Sequence, residues 1–422
     1  MTKGLASEIE SARGEVAEVC SQLVQRPSPH PEGRTVECVK YIQEFFKELG
    51  IKTVVHARNS EKPNIVAHLE GESERTIIWL GHLDVVPEGK PESWKYPAYS
   101  GKVTSDGYVW GRGTSDMKGA CAAAMVAGRI LYQRDDIPHN YDLWFTADEE
   151  IGGTDGARWL AEDKIFSGEV CIIGDGTPGT PDNPAIDLGC KGGAGTKLIA
   201  KGKTAHGSTP YLGDNAIDKL LKVIPHIYKI GEYDLDVPAE LEPVIKTTID
   251  YMMTPDLNGE QRQALKRIFH HPSVTLNMFN GGVKSNVVPD YAEAVFDIRL
   301  TPGTSPLKVK ARLEKLLEEA KVEGVTAEIR ASETAGYYES PNTMFARDLS
   351  KTVKQVTGKE PIFKLLTGGT DAVSVKRFMG TPCLGFGSSI EGQAHAPDER
   401  VSIDVLETSC KVYTTFPYVY EP

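Results

Sequence analysis

The chain has 422 residues, with 47 lysines and arginines against 59 aspartates and glutamates, for a formal net charge of -12. At about 150 residues per domain the length suggests two or three domains, and the acidic balance argues against a nucleic-acid partner, whose electrostatic footprint is basic. The opening MTKGLASEIESARGEV lacks the apolar run of a secretory signal, stretch 120–128 is too short to span a bilayer, and seven scattered cysteines without a CxxC spacing read as reduced thiols, so no membrane association is expected and the expected compartment is the cytoplasm.

An amphipathic helical pattern covers 7–25, and a second covers 35–48 (TVECVKYIQEFFKE), closed by Gly50. Four short apolar runs follow at 76–80 (TIIWL), 141–147 (YDLWFTA), 170–174 (VCIIG) and 382–387 (PCLGFG), the pattern of strands buried on both faces. A small-residue helix is predicted over 118–133 and another over 154–163, giving α/β alternation. The middle differs. Strand 196–201, helix 215–230, strands 274–279 and 292–300, helix 305–320 and strand 325–331 give the order βαββαβ of a ferredoxin-like split unit. Stretch 231–272, rich in proline and charge, has no readable role. The expected class is α/β, with an α+β domain inserted at 191–333 between catalytic parts 1–190 and 334–422.

Each apolar run is followed, past its carboxyl end, by side chains able to hold a metal: His82 and Asp84, Glu149 and Glu150, Asp175, and His395. Ligands of open α/β sheets collect outside the carboxyl ends of strands, so these segments are expected to converge. Gly111-Arg112-Gly113-Thr114-Ser115-Asp116 adds a carboxylate at a glycine-rich turn. Imidazole and carboxylate without thiolate suit zinc, or cobalt and manganese in its place. His82 and Asp84, two apart on an extended strand, share a side, so the Asp84 carboxylate is expected to accept from the second ring nitrogen of His82. Adjacent Glu149 and Glu150 cannot both face one metal; one is better used as ligand and the other as a base. Alone, DEE is an ordinary helix start and HAPDE a turn. The ordered set is not ordinary.

As a set, GHLDVVP, GRGTSDMKG, DEEIGG, KGKTAHGSTPYLGDNAI, SNVVPD, FDIRL, TGGTDA and HAPDE resemble the zinc peptidase/deacylase family of acetylornithine deacetylase, succinyl-diaminopimelate desuccinylase, aminoacylase, carnosinase-type dipeptidases and glutamate carboxypeptidase, over nearly the whole chain. The resemblance implies a mixed-sheet α/β catalytic domain with an inserted lid and dimerisation domain, working as a homodimer on a small-molecule substrate. It implies two zinc ions per subunit, one on His82, Asp116 and Asp175, the other on the bridging Asp116 with Glu150 and His395. Glu149 would be general base and acid, Asp84 the orienter of His82, and His206 the oxyanion donor to a partner subunit. Asn286, Arg299, Gly368, Gly369 and Thr370 would bind substrate. The implied reaction is cleavage of the amide bond of an N-acyl-L-amino acid by metal-bound hydroxide. A metallo-dipeptidase or carboxypeptidase acting on small unblocked peptides is the first alternative; Asp175, which stands where the deacylases and carboxypeptidases usually carry Glu and is more typical of the family's aminopeptidases and dipeptidases, points to its dipeptidase side. A non-catalytic dimeric binding protein is the alternative from another class.

Overall fold

The apolar run at 76–80 lies inside the strand Ser73–His82 of a computed structural model that describes residues 5–134, 136–330 and 336–422. The chain divides into two units, one of Met1–Gly189, Glu339–Lys364 and Thr370–Pro422, the other of Cys190–Tyr338 and Leu365–Gly369.

The first unit is built on a mixed sheet whose path runs Thr53–His56, Asn64–Leu69, His139–Thr146, Ser73–His82, Val170–Ile173, Cys383–Gly385 and Asn183–Cys190. The central members are mutually parallel: Ser73–His82 pairs in parallel with His139–Thr146 and with Val170–Ile173, which pairs in parallel with Cys383–Gly385. All four residues of Val170–Ile173 and the last six of Ser73–His82 are buried, which is why both read as unbroken apolar runs. Helix Gly119–Tyr132 packs against Arg13–Val24 and Ile403–Thr415. Its small residues permit close approach: a Cβ on Gly128 would stand 2.6 Å from Leu143.

The amphipathic pattern at 7–25 forms two helices, Leu5–Ser11 and Arg13–Val24. The Ser11 hydroxyl donates to the Glu8 carbonyl, and the Ala12 N–H turns to the Ile9 carbonyl three residues back. Such local side-chain bonding competes with the helix ladder, and periodicity does not register it.

In the second unit the antiparallel sheet runs Ser273–Gly281, Tyr291–Leu300, Thr196–Lys201, Val325–Ile329, with Gly192–Gly193 also on Tyr291–Leu300. Burial alternates strictly along Tyr291–Leu300. Helices Ala216–Tyr228 and Pro306–Glu319 cover the buried face, with Leu198, Leu220, Phe296 and Leu313 in the shared core. Stretch 231–272 holds two further helices, Glu242–Met252 and Gly259–Arg267, the second opened by a capping box from Asn258 to Gln261. Among the described residues no helix is long and apolar enough to cross a membrane, and all seven cysteines are buried thiols.

Candidate metal centre and active site

Parallel pairing with His82 opposite Thr146 and Leu80 opposite Ile173 brings three strand ends to one edge of the first unit. The chain leaves them as His82-Leu83-Asp84, as Asp148-Glu149-Glu150 and as Gly174-Asp175. Across these ends lies the glycine-rich turn. Gly113 takes a left-handed φ of 88°, and Met117 settles over the strands, its sulfur accepting from the His82 N–H at 3.3 Å. Gly81 and Gly174 leave room for it, since a Cβ on either would stand 2.4 or 2.8 Å from the Met117 methyl. This lodging brings Asp116 to the strand ends.

The two oxygens of Asp116 face different histidines. Oδ1 is 3.1 Å from His82 Nε2, and Oδ2 is 3.1 Å from His395 Nε2, which is also 3.1 Å from Glu150 Oε2. Two candidate ligand groups share this carboxylate: His82, Asp116 and Asp175, and Asp116, Glu150 and His395, with potential ligand atoms within 4.8 Å of one another in each group. Glu149 Oε2 stands 3.9 Å from His82 Nε2.

The electrostatics show a surplus of negative charge. Burial, with Asp116 adding to it, pushes the Asp175 carboxyl up to about 8, and burial lifts Glu149 well above the usual carboxylate range. His395 is raised to about 10 by its bonds to Asp116 and Glu150. Burial works against a charge on His82, yet Asp116, Glu149 and Asp84 together raise it well above its ordinary value. The buried Glu150 Oε1 has no hydrogen-bond partner. An acidic, partly unsatisfied set of carboxylates and imidazoles without thiolate fits a divalent cation of zinc type.

One expectation is corrected. The Nδ1–H of His82 is directed to the backbone carbonyl of Asp84 at 3.0 Å, while the nearest Asp84 carboxylate oxygen is 3.8 Å away. The strand ends at His82, and the same-side rule holds only while a strand continues. The Asp84 carboxylate accepts instead from the N–H groups of Glu149 and Glu150, at 3.2 and 3.1 Å, and pairs with His30 Nε2 at 2.8 Å. It therefore fixes the turn that carries Glu149 and Glu150.

Three residues at the site were not singled out in the sequence. His30 lies in a Pro-Ser-Pro-His-Pro turn with no metal-site pattern. Asp371 and Glu399 sit inside TGGTDA and HAPDE, and membership in those motifs was the signal available. Buried Asp371 accepts from the Thr146 hydroxyl at 3.2 Å, and burial lifts its carboxyl to about 7.

Of the expected oxyanion and substrate residues, all but Thr370 belong to the second unit. In the second unit His206 is exposed, with Nδ1 2.7 Å from the Ser208 hydroxyl, and the Gly207 N–H donates to the Asn286 carbonyl at 2.8 Å, so His206 and Asn286 share one turn region. Arg299 pairs through Nε with its neighbour Asp297 at 2.9 Å, and Gly369 lies beside its guanidinium, while Gly368 is exposed. Thr370 belongs to the first unit, and its hydroxyl accepts from the Ala372 N–H at 3.3 Å.

The model of Peptidase family M20/M25/M40 matches residues 78–418. The chain belongs to this family. It is a hydrolytic enzyme, and M20 metallopeptidases use divalent metals. Among curated M20 relatives, a probable succinyl-diaminopimelate desuccinylase of Staphylococcus epidermidis is 27% identical over 390 residues, spanning 90% of this chain and 91% of that one. The M20 metallo-carboxypeptidase Sso-CP2 from Sulfolobus solfataricus superposes with a TM-score of 0.82 at 22% identity, over 96% and 99% of the two chains. The di-peptidase Dug1p from Saccharomyces cerevisiae gives 0.80 at 17% identity, over 100% and 99%. At these identities the two structures speak for the fold alone.

Proposed function

We propose that the protein is a di-zinc amide hydrolase of N-acyl-L-amino acids, working in the cytoplasm as a homodimer. The observation that carries this reading is the division of the Asp116 carboxylate between His82 and His395. His82, Asp116 and Asp175 would hold one ion, and Asp116, Glu150 and His395 the other. When bound, the ions supply Lewis-acid polarisation of the scissile carbonyl. Glu149, its backbone tied to Asp84, takes a proton from the attacking water and returns it to the leaving nitrogen.

In the second unit Arg299 offers a planar fork to the substrate carboxylate, with Gly368 and Gly369 as further contacts and Thr370 contributed by the first unit; Asn286, in the same turn region as His206, contacts substrate together with that histidine. His206 donates to the developing oxyanion. The strand register supports contribution of His206 to a partner subunit. Arg299 stands opposite Gly193 at one end of its strand, whereas His206 follows the strand whose end, Lys201, stands opposite Tyr291. Eight residues separate Tyr291 from Arg299, roughly 27 Å of extended chain. His206 is bridged to Val287, which precedes Tyr291 and continues away from Arg299, so one copy's His206 and Arg299 are too far apart to hold the same small molecule.

The desuccinylase name of the curated relative favours an acylated substrate. A dipeptidase or carboxypeptidase is the second reading, and Asp175 favours the dipeptidase side of it. Hydrolysis of N-acetylornithine, N-succinyl-diaminopimelate, N-acetyl-methionine and several dipeptides, each with a chelator control, separates the two. Chelator-sensitive cleavage of the acylated compounds alone supports the deacylase, and cleavage of dipeptides alone replaces it with the second reading.

A further inference from the structure

Two deeply buried charges of the first unit have no part in the reaction above. Arg112 is 2% exposed and Glu399 is fully buried. Glu399 Oε1 accepts from the N–H groups of Ser115 and Asp116, at 2.8 and 3.0 Å. Its Oε2 accepts from the Gly113 N–H at 3.0 Å and from Arg112 Nη1 at 2.6 Å. The Arg112 fork continues outward to the carbonyls of Ala396 at 3.2 Å, Pro87 at 3.3 Å and His395 at 3.4 Å. The Glu399 carbonyl closes the loop by accepting from the Gly111 N–H at 2.8 Å.

A buried ion pair is weak evidence for stability, because desolvating two charges offsets much of their attraction. Its reach is the informative feature. One carboxylate gathers the N–H groups of the turn that carries Asp116, and its guanidinium partner gathers the carbonyls of the segment that carries His395. These are the two segments that must meet for Asp116 Oδ2 to face His395 Nε2. His395 has no strand to hold it: it lies on a turn at a left-handed φ of 64°, with its side chain 54% exposed. By contrast, His82 ends a buried strand and Asp175 follows one.

We infer that Arg112 and Glu399 are a positioning pair that sets His395 against Asp116 and so the Asp116–Glu150–His395 metal position, whereas strand ends hold His82 and Asp175, the other two ligands of the His82–Asp116–Asp175 position. The inference rests on the two-ion reading. The pair makes the two positions unequal: both share the Asp116 turn, which Met117 also seats, but only the second draws a ligand from the His395 segment that Arg112 holds.

The test is a zinc titration of metal-free full-length protein and its variants, followed by calorimetry and by the visible spectrum of the cobalt-loaded forms. Wild-type protein takes up two equivalents. Glu399→Gln, which turns an amide toward Arg112 and the Gly113 N–H, keeps one equivalent at unchanged affinity and weakens the other by about 10- to 100-fold. Arg112→Lys, which keeps the charge but loses the fork, weakens the same equivalent by less. Leu160→Ala, a cavity variant at a fully buried site in the same unit, retains both equivalents and controls for general destabilisation. Glu399→Gln binding both equivalents as wild type does, or losing both in parallel, overturns the inference. So does Leu160→Ala losing one equivalent selectively. A wild-type protein that takes up only one equivalent is a different failure, that of the two-ion reading itself.

Discussion

The two units place their polar side chains by opposite rules. In the first, parallel strands end on the same edge, so His82, Glu149, Glu150 and Asp175 emerge together and the Asp116 turn is laid over them. In the second, antiparallel strands alternate direction, so His206 and Asn286 belong to one edge and Arg299 to the other. The first arrangement buries carboxyls beside one another, and burial, with Asp116 adding to it, pushes Asp175 to about 8. The second spreads its groups along a sheet, each beside its own neighbours. A parallel sheet builds a site by topology; an antiparallel sheet of this kind presents contacts at two separated places.

The largest effect is expected at the shared carboxylate. Asp116→Asn leaves one carbonyl oxygen where two oxygens faced two histidines, so the protein is expected to hold at most one zinc and to show no turnover above background. Metal analysis with an amide-hydrolysis assay checks this, and two retained zincs would break the first half of the comparison. Glu149→Ala is expected to lower kcat by about 10²–10⁴-fold while both zincs stay bound, because it removes the base and no ligand. Zinc loss in this variant would exchange the roles given to Glu149 and Glu150.

His206→Ala is expected to cost about 10²–10³-fold in kcat with an intact metal centre. Heterodimers of His206→Ala with Glu149→Ala subunits should recover part of the activity, since one of their two sites then combines an intact Glu149 with an intact partner histidine. Confirmed heterodimers without recovery would contradict the transfer of His206 between subunits.

The smallest effect concerns stability in the second unit. The Lys191 ammonium donates to the Ile268 carbonyl and lies 4.6 Å from the Phe269 ring centre. Burial, with Arg299 adding to it, lowers its pKa to about 7, against about 10.4 for an unfolded lysine. Between these values the unfolded chain binds the extra proton, so this group makes stability rise with pH from about 7 to about 10. Lys191→Met should flatten that rise in denaturant unfolding curves; an unchanged slope would mean that Lys191 stays charged in the fold.

Much of this was legible in the sequence for a physical reason. Strands buried on both faces give unbroken apolar runs, and the side chain just past each run is the one that topology delivers to the edge, as with His82 and Asp175. Alternation along Tyr291–Leu300 likewise marked a strand with one buried face. What failed depended on the chain's path beyond an element. Asp84 was given to His82 on a rule that ends with the strand, and its carboxylate serves the Glu149–Glu150 turn instead. His30 and Glu399 act across 54 and 283 residues of sequence, on Asp84 and on the Asp116 N–H. No local pattern encodes such contacts. The helices at Glu242–Met252 and Gly259–Arg267 were hidden by the prolines and charges around them.

The most direct test of the central claim is a zinc titration of metal-free wild-type protein, with hydrolysis of its best amide substrate measured at each addition. The account predicts two bound equivalents, activity that appears as they bind, and its loss on chelation with recovery on adding zinc back. Saturation at one equivalent, or hydrolysis that persists without metal, would contradict the reading of Asp116 as a carboxylate shared between two ions.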